Sequence, residues 1–202
     1  GTALFLGSVG TGRLLDAFFQ SVTSRTAGFN SVDQAGLSHG AKFATVILMF
    51  IGAAPGSTGG GIKITTFAIV AATILSDIRG RDNIILMRHR LPRETFTRAF
   101  AIVGLSMSIV LSVTLLLSFV ERPSLDNGRF SFLDLLFEAT SAFATVGLSS
   151  AGTPGLDPWT WAILTPVMYL GRVGPASFAI SLAMQTRAHK EPVYPEGRTL
   201  VG

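Results

Sequence analysis

The 202-residue chain has no cysteine, which excludes disulfides, thiolate metal sites and thiol nucleophiles. It is 48% hydrophobic and only 14% charged, with a mean hydropathy of +0.50, whereas ordinary soluble domains are about 25% charged, so a membrane protein is the leading class. The net charge of +4 and the pI near 10.1 do not point to nucleic acid, because the basic residues form no single stripe interleaved with stacking aromatics.

In chain order, Gly1 opens no signal peptide, since no charged region followed by a cleavage site stands there. The chain opens inside a pattern that later recurs in fuller form, so it reads as a fragment. LLDAFFQSVTSRTAGFNS, residues 14–31, predicts a short amphipathic helix over residues 14–24 and then a Thr-x-Gly turn. Residues 33–79 stay apolar or small for longer than one span needs, but Pro55 and Gly56, Gly59, Gly60 and Gly61 interrupt them. Proline costs about 3 kcal/mol in a helix and each glycine about 1 kcal/mol relative to alanine, so this stretch should divide into helix, loop and helix. Arg79, Arg81, Arg88, Arg90, Arg93 and Arg98 then gather in one connection, as cytoplasmic loops do.

Crossing the hydrocarbon core takes roughly 20 mostly apolar residues, and two windows reach that length. Residues 96–120 carry only Arg98, and residues 159–184 carry only Arg172. Between them FLDLLFEATSAFATVGLSS, residues 132–150, predicts a second short helix over residues 132–142 with its own Thr-x-Gly turn. Arg187, Lys190 and Arg198 lie in the tail.

The two short segments resemble each other. Asp16 pairs with Asp134, Phe19 with Phe137 and Thr23 with Ser141, and Thr26-Ala27-Gly28-Phe29 pairs with Thr145-Val146-Gly147-Leu148 after one residue of slack. Both turn glycines are followed 24 residues later by another glycine, since 28 + 24 = 52 and 147 + 24 = 171. Each unit therefore reads as a half-length helix, a turn and a long apolar helix. Irregular backbone at membrane depth is tolerated only where protein buries it or it lines a water-filled path, which describes a re-entrant pore loop. Carbonyls of such a turn can converge on one axis if glycine supplies dihedrals closed to other residues, and a ring of them can replace an alkali cation's hydration shell. The helix before the turn aims its negative end at the same point.

Four segments, SVTSRTAGFNSVD (21–33), APGSTGGGIKITTFA (54–68), SAFATVGLSSAGTPG (141–155) and GRVGPASFAISL (171–182), resemble the pore-forming subunits of the Trk/Ktr/HKT superfamily of cation transporters. The resemblance covers nearly the whole chain. It implies an all-α membrane protein of four helix/pore-loop/helix repeats, of which this chain holds the last one and a half to two. The implied divisions are residues 1–80 (third pore loop and broken helix), 81–95 (basic cytoplasmic connection), 96–186 (fourth repeat) and 187–202 (cytoplasmic tail). The implied filter positions, coordinating potassium through backbone carbonyls, are Thr26, Ala27, Gly28 and Phe29 with Thr145, Val146, Gly147 and Leu148. Glycine in both filters goes with potassium permeation in that family, and serine with sodium preference.

The tail VYPEGRTLVG (193–202) looks more like the Ktr branch than the Trk branch. That likeness implies homodimers in the bacterial inner membrane, seated on a cytosolic ring of nucleotide-binding regulatory subunits, with potassium uptake by a gated path or by symport. No covalent cofactor and no nucleic-acid partner are expected. The implied gate is Gly56, Ser57, Thr58, Gly59, Gly60, Gly61 and Lys63 with Arg172, read as near the middle of its helix and facing the broken segment. Asp16 and Asp134 read as helix-start carboxylates that cap free amides.

The competing readings are a sodium or mixed-cation transporter of the same superfamily, a membrane-anchored P-loop nucleotidase and a purely structural subunit. Gly56 to Lys63 nearly spells a phosphate-binding loop, but Ile62 stands where the lysine should follow Gly61, and no strand precedes it. A structural subunit leaves the duplicated turns unexplained. His39, His89 and His189 have no metal-ligand or acid–base spacing.

Overall fold

The computed structural model describes residues 14–57, 59–79, 85–86, 89–90 and 93–174. Helices α1 (Leu14–Thr23), α2 (His39–Phe50), α3 (Ile64–Ile78), α4 (Arg93–Val120), α5 (Arg122–Asp126), α6 (Phe132–Ala144) and α7 (Pro158–Val173) account for most of them, with one 3-10 turn at Thr153–Gly155. A two-residue antiparallel ladder, β1 (Ile85–Leu86) with β2 (His89–Arg90), is a minor addition to an all-α chain.

Among the described residues α4 alone is long and apolar enough to cross a membrane, over Thr95–Val120, and at 1.5 Å per residue those 26 residues reach roughly 39 Å. Its Val110, Val113 and Leu117 are buried while Leu111, Leu115, Leu116 and Phe119 are exposed, so one side packs on protein and the other suits lipid.

Helix α6 is the axis of the packing. From Asp134 to Ala144 every residue but Leu136 is buried, wrapped by α2, α4 and α7. Leu135, Ala139, Ala142 and Phe143 meet Val110, Val113 and Leu117 of α4 and Leu164 and Val167 of α7. Phe137 and Ala144 meet Val46 and Met49 of α2. Neighbouring helices thus cover α6, which is too short to span on its own; a half-length helix is tolerable at membrane depth only when protein buries it in this way. The α7 backbone approaches α6 tightly at Gly171, where a Cβ would lie 1.7 Å from the Phe143 carbonyl oxygen.

The broken segment divides as expected into α2, a loop and α3. The loop closes on itself: Ile51 and Ile62 form an isolated parallel bridge, Gly52 N–H donates to Ile62 O at 2.8 Å, and Ile64 N–H donates to Ala53 O at 3.3 Å. Two expectations need correction. The short helices are Leu14–Thr23 and Phe132–Ala144, and α7 ends at Val173 rather than continuing to Met184. Gly174, at φ 88 and ψ 135, leaves the helical region, so Arg172 lies in the last turn of α7, not mid-helix. A cation there complements the negative helix end.

Thr58, Arg81, Arg88, residues 175–182 of the fourth resembling segment and the tail with Arg187, Lys190 and Arg198 lie outside the described residues.

Candidate functional site

The two Thr-x-Gly turns follow α1 and α6, and their backbones match. Thr26 and Thr145 have φ of 67 and 52, and Gly28 and Gly147 have φ of 77 and 92. A non-glycine residue in this region is uncommon and costs of order 1–3 kcal/mol, so a threonine there twice, each two residues before a left-handed glycine, is a shared device rather than a random loop. It reverses the chain at the helix end: Ala27 N–H donates to Thr23 O at 3.2 Å, and Val146 N–H donates to Ser141 O at 2.9 Å. The Thr23 hydroxyl also donates to the Phe29 carbonyl.

The turns touch backbone to backbone. A Cβ on Gly28 would lie 2.2 Å from the Val146 carbonyl oxygen, while one on Gly147 would meet nothing nearer than Gly28 Cα at 3.8 Å. Residues 26–29 and 145–148, 119 positions apart in sequence, are therefore neighbours in space.

The glycine loop packs on the threonine side of both turns. Gly60 N–H donates to Thr145 Oγ1 at 3.1 Å, and a Cβ on Gly59 would stand 2.7 Å from Thr26 Oγ1. Lys63 folds back over the loop, donating from Nζ to Gly59 O at 2.6 Å and to Ser57 O at 3.4 Å. Gly56 and Ser57 stay exposed at its tip, and Gly60 and Gly61 are buried. The structure therefore brings Thr26 and Gly28 of the first turn, Thr145, Val146 and Gly147 of the second, and Gly59 and Gly60 of the loop into contact. Arg172 follows the glycine that packs on Phe143, at the end of α7.

Four buried charged side chains, Lys42, Asp134, Glu138 and Glu121, carry interactions that spacing did not reveal. Lys42 of α2 pairs with Asp134 of α6 at 2.7 Å, both nearly sequestered. Asp134 is the N3 member of a capping box with Ser131, as a helix-start carboxylate should be, and it also accepts from the Ser150 hydroxyl. Glu138, one turn further on, accepts from the Ser149 hydroxyl, from Ser150 N–H at 3.0 Å, from Ala151 N–H at 3.1 Å and from the Thr153 hydroxyl at 3.2 Å. Glu121, at the end of α4, accepts from Asp157 N–H at 2.7 Å and from the Thr160 hydroxyl at 2.8 Å, tying α4 to the start of α7. The available signal was a lone charge inside an apolar run, which by default marks a partnered or functional position. An open pocket of about 330 Å³ lies beside the second turn, lined in part by Glu138, Thr145, Gly147 and Met168.

No cluster of metal-ligating side chains exists among the described residues. The groups brought together are the backbone of the two turns, the Thr26 and Thr145 hydroxyls and the Lys63 amine.

Comparison with known proteins covers most of the chain. The family model described as TrkH, cation transport protein, matches residues 4–190. The chain is 35% identical over 190 residues to the Ktr system potassium uptake protein B of Bacillus subtilis, covering 94% of this chain and 41% of that protein. It is 38% identical over 201 residues to the protein of the same name from Vibrio alginolyticus, covering 98% of this chain and 42% of that one. It is 33% identical over 193 residues to the potassium/sodium uptake protein NtpJ of Enterococcus hirae, covering 95% of this chain and 42% of that one. The chain thus spans well under half the length of these relatives.

Proposed function

The chain belongs to the TrkH family of cation transport proteins, and on that premise we propose that it forms part of a potassium-uptake pore in a bacterial inner membrane. Thr26, Ala27, Gly28 and Phe29 with Thr145, Val146, Gly147 and Leu148 supply backbone carbonyls to the filter. The loop from Gly56 to Gly61, with Lys63, occludes the path below it, and Arg172 adds a fixed positive charge near that level. The observation that supports this most is the matched pair of left-handed turns, Thr26/Gly28 and Thr145/Gly147, in contact at the ends of two short helices. Left-handed backbone of this kind lets successive carbonyls turn toward one side of the chain, as a carbonyl-lined filter needs.

The partners in this reading are a second copy of the pore subunit and a cytosolic nucleotide-binding ring facing the basic connection and tail. The domain divisions at residues 80, 95 and 186 belong to the same proposal. Sodium, alone or by symport with potassium, is the second reading. The Enterococcus relative, named for both cations, favours it.

The experiment places the parent full-length chain in a potassium-uptake-deficient cell with its cytosolic subunit. Growth at low potassium is expected, together with a loss of preference over sodium in Gly147→Ser. Failure of the inserted wild-type protein to restore growth would overturn the reading.

A further inference from the structure

The two turns are alike in backbone but are held differently from behind. The second turn leaves through Ser149–Thr153, and the Glu138 carboxylate gathers that leg with four bonds, two to hydroxyls and two to backbone N–H groups. Ser149 Oγ in turn accepts from Gly152 N–H at 2.9 Å and Thr153 N–H at 3.0 Å. Ser150 adds a second anchor through Asp134 to Lys42 of α2.

The first turn has a counterpart at matching positions. With the offsets already seen, 20 + 118 = 138 and 34 + 119 = 153, so Gln20 stands for Glu138 and Gln34 for Thr153. There the brace is one amide-to-amide bond, Gln20 Nε2 to Gln34 Oε1. Gln34 donates onward to Val32 O at 2.8 Å, and Gln20 Oε1 has no hydrogen-bond partner among the described residues. Both braces are buried, with Glu138 4% and Gln20 0% exposed. Hydrogen bonds to a carboxylate are roughly twice as strong as neutral ones, and here one acid collects several.

We propose that Glu138 is a positioning residue for ion discrimination: its carboxylate clamps the Ser149–Thr153 leg and so holds the Thr145–Leu148 carbonyls rigid. The Gln20–Gln34 brace leaves the first turn the more compliant of the two. Glu138 touches no ion and acts through the backbone it holds. This rests on the reading of both turns as filter segments.

The test uses the full-length parent, with Glu138→Ala, Glu138→Gln and Gln20→Ala, and reads the ratio of sodium to potassium KM separately from maximal rate. Glu138→Ala should shift the ratio toward sodium about tenfold, equivalent to about 1.4 kcal/mol of lost discrimination. Glu138→Gln should restore most of it, because an amide oxygen still accepts from Ser150 and Ala151 N–H. Gln20→Ala should change it clearly less than Glu138→Ala does, because it removes one neutral bond rather than four bonds to an acid. An unchanged ratio in inserted Glu138→Ala overturns the proposal, as does an equal shift in Gln20→Ala.

If Glu138→Ala fails to insert, the pair Ser149→Ala with Thr153→Val removes two donors and should move the ratio in the same direction; no shift then overturns it. Hydrogen exchange on purified protein separates this from the functional reading. The Ser150 and Ala151 amides should exchange at least about tenfold faster once their acceptor is gone, whether or not the wild type transports potassium, and equal protection in wild type and variant overturns the clamp.

Discussion

Gly60 donates its backbone N–H to the Thr145 hydroxyl at 3.1 Å, joining the glycine loop to a turn 85 residues away in sequence. A neutral bond of this kind contributes about 0.5–1.5 kcal/mol, so on the gate reading its loss should favour displacement of the loop by about fivefold. Thr145→Val is expected to raise cation uptake in cells lacking the cytosolic subunit, while Thr145→Ser stays at the wild-type rate. Lys63→Met, which keeps the side-chain stem but loses the bond to Gly59 O, should act in the same direction as Thr145→Val. Equal rates in the valine and serine variants would remove the latch.

Gly28 and Gly147 should respond differently to the same change. A side chain on Gly28 would start 2.2 Å from Val146 O, whereas one on Gly147 has no neighbour nearer than 3.8 Å. Gly147→Ser therefore meets only the backbone cost of its positive φ, about 1–3 kcal/mol, and should assemble with altered ion preference. Gly28→Ser should force the turns apart and lower thermal stability in detergent by several degrees more. Identical melting of the two variants contradicts the observed contact.

Gly171 sits where α7 crosses α6, with Phe143 O at 1.7 Å from any added Cβ. Gly171→Ala should separate the helices and leave little folded protein by fluorescence-detected chromatography. Gly104 is the control, an α4 position with nothing within 4 Å, where alanine should be neutral or stabilising by up to about 1 kcal/mol. Gly171→Ala at wild-type yield would refute the crossing.

The Lys42–Asp134 pair is buried on both sides, so removing one partner strands a charge at a cost of about 3–5 kcal/mol. Lys42→Met alone should be strongly destabilised. Adding Asp134→Asn should recover more than half of the loss, because neither charge then remains. Additive losses in the double variant would show that the two side chains do not interact.

Several features were legible because their causes are local. Pro55 and the glycines after it break a helix wherever they stand, and α2, the loop and α3 follow. The Thr-x-Gly turns were legible from duplication, since one copy is an ordinary turn and two copies with matched flanks are not. The extent of α7 was misjudged because hydropathy continues past Val173 while the backbone turns at Gly174. Apolar composition reports the surroundings of a segment, not where its φ and ψ leave the helix. The glycine loop was legible as a helix break, but its ties through the Ile51–Ile62 bridge, Lys63 and Thr145 were not.

The class of protein, the order of the helices and the places where glycine must stand could be read from the residues alone, because hydropathy, helix propensity and backbone freedom are properties of neighbouring residues; the helix after the first turn, expected to be long, is only the 12 residues of α2. What each buried charge holds depends instead on contacts between distant segments. Lys42 finds Asp134 across 92 residues, Glu138 collects a loop 11 to 15 residues away, and Gly60 reaches Thr145. A charge inside an apolar run announces that it needs a partner, because leaving it unpaired costs several kcal/mol. Which partner it meets is set by how the helices pack around α6.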